Sequence, residues 1–446
     1  MIPTRNLKGL RGLLIDSPAP GRLRSVRDGA ILIEDGLIAA SGTFDEVKRM
    51  PGAELVRWLH APEAVIIPGL IDVHAHLPQY PVVARVEEAL LPWLQRHVFP
   101  VEKQFNAATA RQQAPHFFEA LARNGTTCAM LYATIYEESC DAAFEAAEKS
   151  GLRIILGKVM MDEGSYGGLK PEKILPLSLE QSERLCRKWH GRDEGRIEYA
   201  FSPRFAVTCS EELMREAGLL ARKFDAYIQT HLSENHGEIA AVRERFPNLP
   251  NYTAVYETCG LLGERSVLGH CIHLDDDEIR LLAESRSVVA HCPTSNLFLN
   301  SGIMPMDRLL GAGLRMGLAS DVAGGPELDM WRVMRSAIES QKARSFYNDG
   351  VRVPSTADVF HLATLGGAQA LGKESLIGTL DVGKEADVVV LDLAHVLPYG
   401  IRGNMHSDLS AEEVITLLVY RGGPQAVIET FVRGTSVHRA PAPPLF

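Results

Sequence analysis

The chain has few cysteines, and none of them is paired. Seven are scattered along 446 residues (Cys128, Cys140, Cys186, Cys209, Cys259, Cys271 and Cys292), an odd number without a CxxC spacing. That pattern argues against a disulfide framework and reads as buried free thiols in a reducing compartment. Nowhere do about 18 apolar residues run together, and the early "GLLI" is too short for a signal-peptide core, so neither a membrane span nor a leader is expected. Clusters of basic residues are also missing. With 46 Lys and Arg against 56 Asp and Glu, the net charge is −10, which excludes nucleic acid as an expected partner. A soluble, cytoplasmic protein follows. There is no internal repeat, and the one biased stretch is the proline-rich "RAPAPPLF" at the end, expected to be flexible.

What is present is enough apolar sequence for a large core: 46% of residues are hydrophobic and 23% charged. The first 60 or so residues read as β, with "AILIE" and "LIAAS" split by Asp35-Gly36, a hairpin signal. Similar Val- and Ile-rich runs with Gly punctuation return near the end, in "EADVVVLDL" and "QAVIETFVRG". The two ends are therefore expected to share one small β domain, residues 1–66 with 373–446. Residues 67–372 change pattern, to short apolar runs alternating with amphipathic segments such as "EELMREAGLLARKF" and "DDDEIRLLAESR", the signature of βα units. Eight candidate strands can be counted. They lie in "VIIPGLIDVHAH", "TTCAMLYAT", "RIILGKVMMD", "RIEYAFSPR", "AYIQTHLSE", "SVLGHCIHL", "SVVAHCPTS" and "RMGLASDVAG". Eight such units close most economically into a barrel whose active site lies at the carboxyl ends of the strands.

Those ends carry the chemistry. His74 and His76 are two residues apart in a strand and so present both imidazoles to one face. By itself HxH is weak evidence, since core or surface histidines give the same pattern. Its company strengthens it: His231, His270 and Asp321 finish three other strands, and imidazole with carboxylate suits zinc or iron(II) with a position left open for water. His273 and His291 read equally well as hydrogen-bonded packing histidines.

The blocks "PGLIDVHAH", "SPRFAVTCSEELM", "THLSENHGEI", "HCPTSNLFLNSG" and "GLASDVAGG", in this order, resemble the amidohydrolase superfamily and, within it, the guanine deaminase family. The segment "LPWLQRHVFPVEKQF" is similar to that narrower family, and "GTLDVGKEADVVVLDL" to amidohydrolases at large. The resemblance implies an α/β fold, a distorted (β/α)8 TIM-like barrel beside a β-sandwich formed by both termini. It implies one zinc per subunit, iron(II) being the other option, held by His74, His76, His231 and Asp321, with His270 near enough to the metal to count as a fifth ligand. The fourth strand ends in "SPRF", with no lysine to bridge two metals, and Lys158 is taken as structural.

The implied reaction is hydrolytic deamination of a purine to xanthine and ammonia, with Glu234, Asp321 and His270 catalytic. Glu234 has a plainer alternative as a helix residue behind a Ser233 cap, and Glu238 reads as helix surface. Substrate would touch His76, Gln79, Arg204, Phe205, His231 and Asp321. Arg204 would meet the guanine O6 carbonyl, its alternative being an ion-paired rim residue, and Gln79 would meet the ring edge. Trp93 and Phe99 read as packing for a helix over the barrel mouth. The alternatives are deamination of a related aminoheterocycle (a pterin, 8-oxoguanine or an aminotriazine) and, more remotely, a non-catalytic scaffold. A homodimer is expected, and the stretch from Glu163 to Glu180 matches no pattern.

Overall fold

A computed structural model describes residues 7–59, 64–166, 168–398 and 409–441; the proline-rich stretch beyond residue 441 lies outside them. Eight parallel strands form the centre: Leu70–His76, Thr126–Tyr132, Arg153–Gly157, Ile197–Pro203, Tyr227–Leu232, Ser266–His270, Val288–His291 and Arg315–Leu318. Each falls within one of the eight runs read from the sequence. Nearly every residue in them is buried, as expected where helices cover the outside of a parallel sheet and side chains fill its inside. The first and eighth strands close the ring through the chain just after the eighth. There the Asp321 N–H donates to the His74 carbonyl (2.9 Å) and the His76 N–H to the Val322 carbonyl (2.8 Å). Asp72 reinforces the seam, because its Oδ1 accepts from the backbone N–H groups of His74 (3.3 Å) and Ser320 (3.0 Å).

A second, eight-stranded sheet draws on both ends of the chain. Arg22–Glu34 and Leu37–Thr43 form the hairpin read from Asp35-Gly36, whose φ values of 50° and 89° are those of a tight two-residue turn. Ala64–Pro68 pairs on one side with Leu7–Ala19 and on the other with Val388–Asp392, stitching the amino end to the carboxyl end. The run "VIIPGLIDVHAH" is thus two strands in two sheets, with Gly69 as the joint. Alternation along Ala64–Pro68 explains how the sheet docks. Val65 and Ile67 join the large core under the barrel helices, whereas Ala64 and Ile66 join the core of the terminal sheet. A buried ion network adds polar contacts: Arg153 of the third barrel strand reaches Glu385 and Asp387 (3.3 Å to the latter), and Arg433 reaches Glu385 at 2.9 Å.

All seven cysteines are free and buried. Among the described residues, no helix is long and apolar enough to cross a membrane.

A candidate metal centre beneath a polar cavity

The carboxyl ends of the first, fifth and eighth strands bring His74, His76, His231 and Asp321 together, with one donor atom from each within 4.8 Å of all the others. His76 Nε2 lies 3.2 Å from His231 Nε2. Asp321 Oδ1 lies 3.2 Å from His74 Nε2 and 3.3 Å from His76 Nε2. Donors that share one ion at bond lengths of about 2.0–2.2 Å are separated by about this much. The local backbone is built for such an approach. Gly269, beside His231 in the register, leaves room for His74, since a Cβ there would sit 3.0 Å from the imidazole Cε1. Ser233, His270 and Asp321 all take left-handed φ values (49°, 72° and 48°), strain that non-glycine residues hold only where the surroundings enforce it.

The protonation pattern fits a cation. Burial pushes the His76 imidazole down to about 4 and, together with the neighbouring histidines, pushes His231 well below its ordinary value, so both rings are neutral near pH 7. His231 Nδ1 must donate to the Arg204 carbonyl (2.7 Å), which leaves the Nε2 lone pair facing His76. Neither nitrogen of buried His74 has a hydrogen-bond partner, nor has His76 Nδ1. Burial raises the Asp321 carboxyl, but the His74 and His76 rings outweigh it and hold the group well below the usual carboxylate range. Three imidazoles and one carboxylate, with buried ring nitrogens left unsatisfied, are a donor set for zinc or iron(II).

His270 stands slightly apart. Its Nε2 is 3.4 Å from Glu234 Oε2 and 3.7 Å from Asp321 Oδ2, and its Nδ1 donates to Asn296 Oδ1 at 2.8 Å. It belongs to a second possible donor group with His74, Asp321 and Cys292, but burial lifts the Cys292 thiol well above its ordinary value and keeps it protonated. Glu234 is buried beside this ring, and Ser301 Oγ donates to its Oε1 (2.8 Å). Burial and the charge of Asp321 raise Glu234 to about 8. One carboxyl group held protonated and one held ionised, in the same cavity, are a general acid and a general base in waiting.

The cavity above these groups is lined by all the expected contact residues: His76, Gln79, Arg204, Phe205, His231 and Asp321. Trp93 also lines it, which extends its expected packing role. Gln79 sits in a short helix, Leu77–Val82, just past the first strand, and its side chain is buried. Arg204 combines its two sequence readings. It lines the cavity and is ion-paired, with Nη1 donating to Glu102 Oε2 at 2.6 Å. The other oxygen of Glu102 accepts from Gln79 Nε2 at 2.9 Å.

Sequence reasoning missed Glu102, Asn296 and Ser301, and misplaced Glu238. Far from being helix surface, Glu238 is fully buried, accepting from the Glu234 and Asn235 N–H groups (2.9 and 3.2 Å) and from the Tyr252 hydroxyl (2.8 Å). It closes a capping box with Asn235, so the helix begins at His236 and its cap is Asn235, not Ser233, whose left-handed backbone lies in the turn before it. The "NHGE" spacing was the available signal. His273 Nε2 meets the Ser301 carbonyl at 2.8 Å, a packing role, whereas His291 is buried with neither ring nitrogen partnered. Lys158 is buried away from the metal donors, with its Nζ 3.3 Å from Ser178 Oγ.

A parallel barrel with histidines and an aspartate at its strand ends defines a hydrolase, and the chain belongs to the amidohydrolase family, whose sequence model matches residues 65–437. Within that family of hydrolases acting on carbon–nitrogen bonds, its relatives are guanine deaminases. The chain is 35% identical to the guanine deaminase of Escherichia coli (strain K12), over 97% of this chain and 98% of that protein. The structure of guanine deaminase from C. acetobutylicum with guanine bound in its active site superposes with a TM-score of 0.88 at 30% identity, covering 97% of this chain and 100% of that one. An adenosine deaminase from Xanthomonas campestris with bound zinc gives 0.80 at 26% identity, over 96% and 92%.

Proposed function

We propose that this enzyme deaminates guanine hydrolytically, releasing xanthine and ammonia, with one zinc or iron(II) ion held by His74, His76, His231 and Asp321. The observation that carries the reading is a single cavity in which a protonated Glu234 and an ionised Asp321 face Arg204 and Gln79 across the space above the donor cluster. The bound ion supplies Lewis acidity that makes water nucleophilic at neutral pH.

The side chains do the rest. Asp321 takes the first water proton as the oxygen adds to C2, while Glu234 gives its own proton to N3. Asp321 and Glu234 approach the same nitrogen, His270 Nε2, at 3.7 and 3.4 Å. The proton on Asp321 is relayed through Glu234 to the exocyclic amine, the C2–N bond breaks, ammonia leaves, and the remaining hydroxyl proton returns to Glu234 as the C2 carbonyl forms. Arg204 donates to the O6 carbonyl, Gln79 meets the ring edge and Phe205 packs on the ring, so that no polar edge atom is buried unpaired, a fault that costs about 1–3 kcal/mol. Guanine-bound and zinc-bound relatives support the substrate and the metal, and the seven buried thiols support a cytoplasmic setting. A homodimer is the assembly that accompanies this reading.

The test is ammonia release from a panel of guanine, a pterin, 8-oxoguanine and an aminotriazine with zinc present. Guanine is expected to give the highest kcat/KM; a faster reaction with another member would reassign the substrate.

A further inference from the structure

We propose that Glu102 is a positioning residue that sets the charge selectivity of this cavity, making it prefer a neutral purine over an anionic one. The inference rests on the proposed guanine reaction and extends it to the discrimination between substrate and product. Glu102 has no exposed surface, and it comes from the helix Phe99–Gln104, outside the barrel. Its two oxygens hold two cavity residues, Oε2 accepting from Arg204 Nη1 at 2.6 Å and Oε1 from Gln79 Nε2 at 2.9 Å, and the Tyr166 hydroxyl also bonds to the carboxylate. The Phe99 ring of the same helix lies 5.0 Å from the Arg204 guanidinium carbon.

Two consequences follow from the chemistry of a carboxylate. It is an acceptor only, so it dictates that Gln79 turns its amino group towards Glu102, which fixes the amide against the flip that a glutamine otherwise has open to it. The Gln79 carbonyl is then turned the other way, where the Ala323 N–H lies 3.4 Å from it. Second, the buried guanidinium is neutralised by a buried partner. An unpaired Arg204 in the same place would be an uncompensated buried charge, and it would gain most from an anionic ligand. Paired, it remains a directional donor to a neutral carbonyl without attracting negative charge. Xanthine carries one more ring N–H flanked by carbonyls than guanine and loses a proton more readily, so a neutral recognition edge favours substrate entry over product retention.

The test compares the metal-replete parent with Glu102→Gln, measuring KM and kcat for guanine and the inhibition constant of xanthine across the pH range in which xanthine ionises. In Glu102→Gln the guanine KM is expected to rise about tenfold and ionised xanthine to bind about tenfold tighter, with a smaller change in kcat. Opposite movements of these two constants are not what a general structural defect produces. Glu102→Asp, one methylene shorter but still charged, keeps the question decidable if the glutamine variant does not accumulate. It is expected to raise the guanine KM with the xanthine constant unchanged, because the charge remains while the reach to both partners is lost. A parent-like guanine KM in either variant, a parent-like xanthine constant in Glu102→Gln, or a loss confined to kcat and metal content would overturn the proposal. Failure of the parent to release ammonia from guanine would instead remove the reaction. Calorimetric binding of neutral and ionised xanthine to parent and variant would still report on Glu102, an unchanged preference between the two forms counting against it.

Discussion

Replacing Glu234 by glutamine isolates a proton from a shape. The amide is isosteric, can keep the 2.8 Å contact with Ser301 Oγ, and leaves the backbone N–H of residue 234 on Glu238 Oε2 at 2.9 Å. What it cannot do is give up a proton at neutral pH. In the parent, burial and the adjacent Asp321 charge raise the carboxyl from 4.5 to about 8, so at pH 7 most of the population is protonated and ready to act as an acid. General acid catalysis by a positioned group is worth about 10²- to 10⁴-fold, so Glu234→Gln should lose about 3–5 kcal/mol of transition-state stabilisation, seen mainly in kcat. The pH profile gives the sign. Since the protonated form is the active one, parent activity should fall as pH rises through about 8, and the residual activity of the variant should lack that limb. Steady-state ammonia release from pH 6 to 10, with zinc content measured on each sample, makes the comparison. A variant that keeps more than about a tenth of the parent kcat, or that shows the same alkaline limb, would refute the assignment of the acid to Glu234.

Further outcomes can be checked independently. Asn296→Ala removes the acceptor that orients His270 and should lower kcat by about 10- to 100-fold; unchanged zinc content in that variant would place His270 outside the metal's ligands, and a parallel loss of zinc would place it among them. Gly269→Ala brings a methyl group to 3.0 Å from His74 and should weaken zinc binding in chelator competition by about tenfold or more; parent-like affinity would show that the His74 ring is free to shift. Burial lowers Lys158 from its ordinary 10.5 to about 8, so its amine is charged at a cost in the folded protein below pH 8 and neutral at no cost above about 10.5. Lys158→Met should therefore stabilise the protein at pH 7 by roughly 2–3 kcal/mol, the gain fading between pH 8 and 10.5 in thermal-shift measurements; a constant or negative effect would contradict a buried, uncompensated amine.

The barrel could be read from the sequence because its strands are buried on both sides and end in residues with a chemical reason to be there. His74, His76, His231 and Asp321 announce themselves by type and by position in a βα alternation, and the eight strands follow. What the sequence concealed depends on pairing across distance. "PVEKQF" shows Glu102 between a valine and a lysine on a six-residue helix, with nothing local to separate a buried carboxylate from a solvated one. The approach of Gln79, on the short helix after the first strand, and of Arg204, just past the end of the fourth, is what pairs it. Glu238 was obscured differently. Its helix lacks a clear apolar stripe, so every charged residue on it looks solvated, and the buried side is made by Tyr252 and the backbone of residues 234 and 235. The run "VIIPGLIDVHAH" likewise reads as one strand until the terminal sheet claims its first half.

Three carboxyl groups face or flank one cavity, and what separates them is their neighbours. Asp321 lies against imidazoles and is held ionised despite burial, whereas Glu234, beside the same His270 nitrogen, sees the Asp321 charge and the Ser301 hydroxyl and holds its proton. Glu102 faces a guanidinium and an amide and spends its charge on them. The same functional group thus supplies a base, an acid and a counter-ion, and each role is set by which donor the fold delivers to it. Moving one donor should therefore disturb the group it serves and leave the others in place. If Arg204 were removed while Glu102 stayed buried, Glu102 would lose its counter-ion and keep only the Gln79 amide of these two partners. Guanine would lose its O6 donor, while the metal donors below stayed as they are.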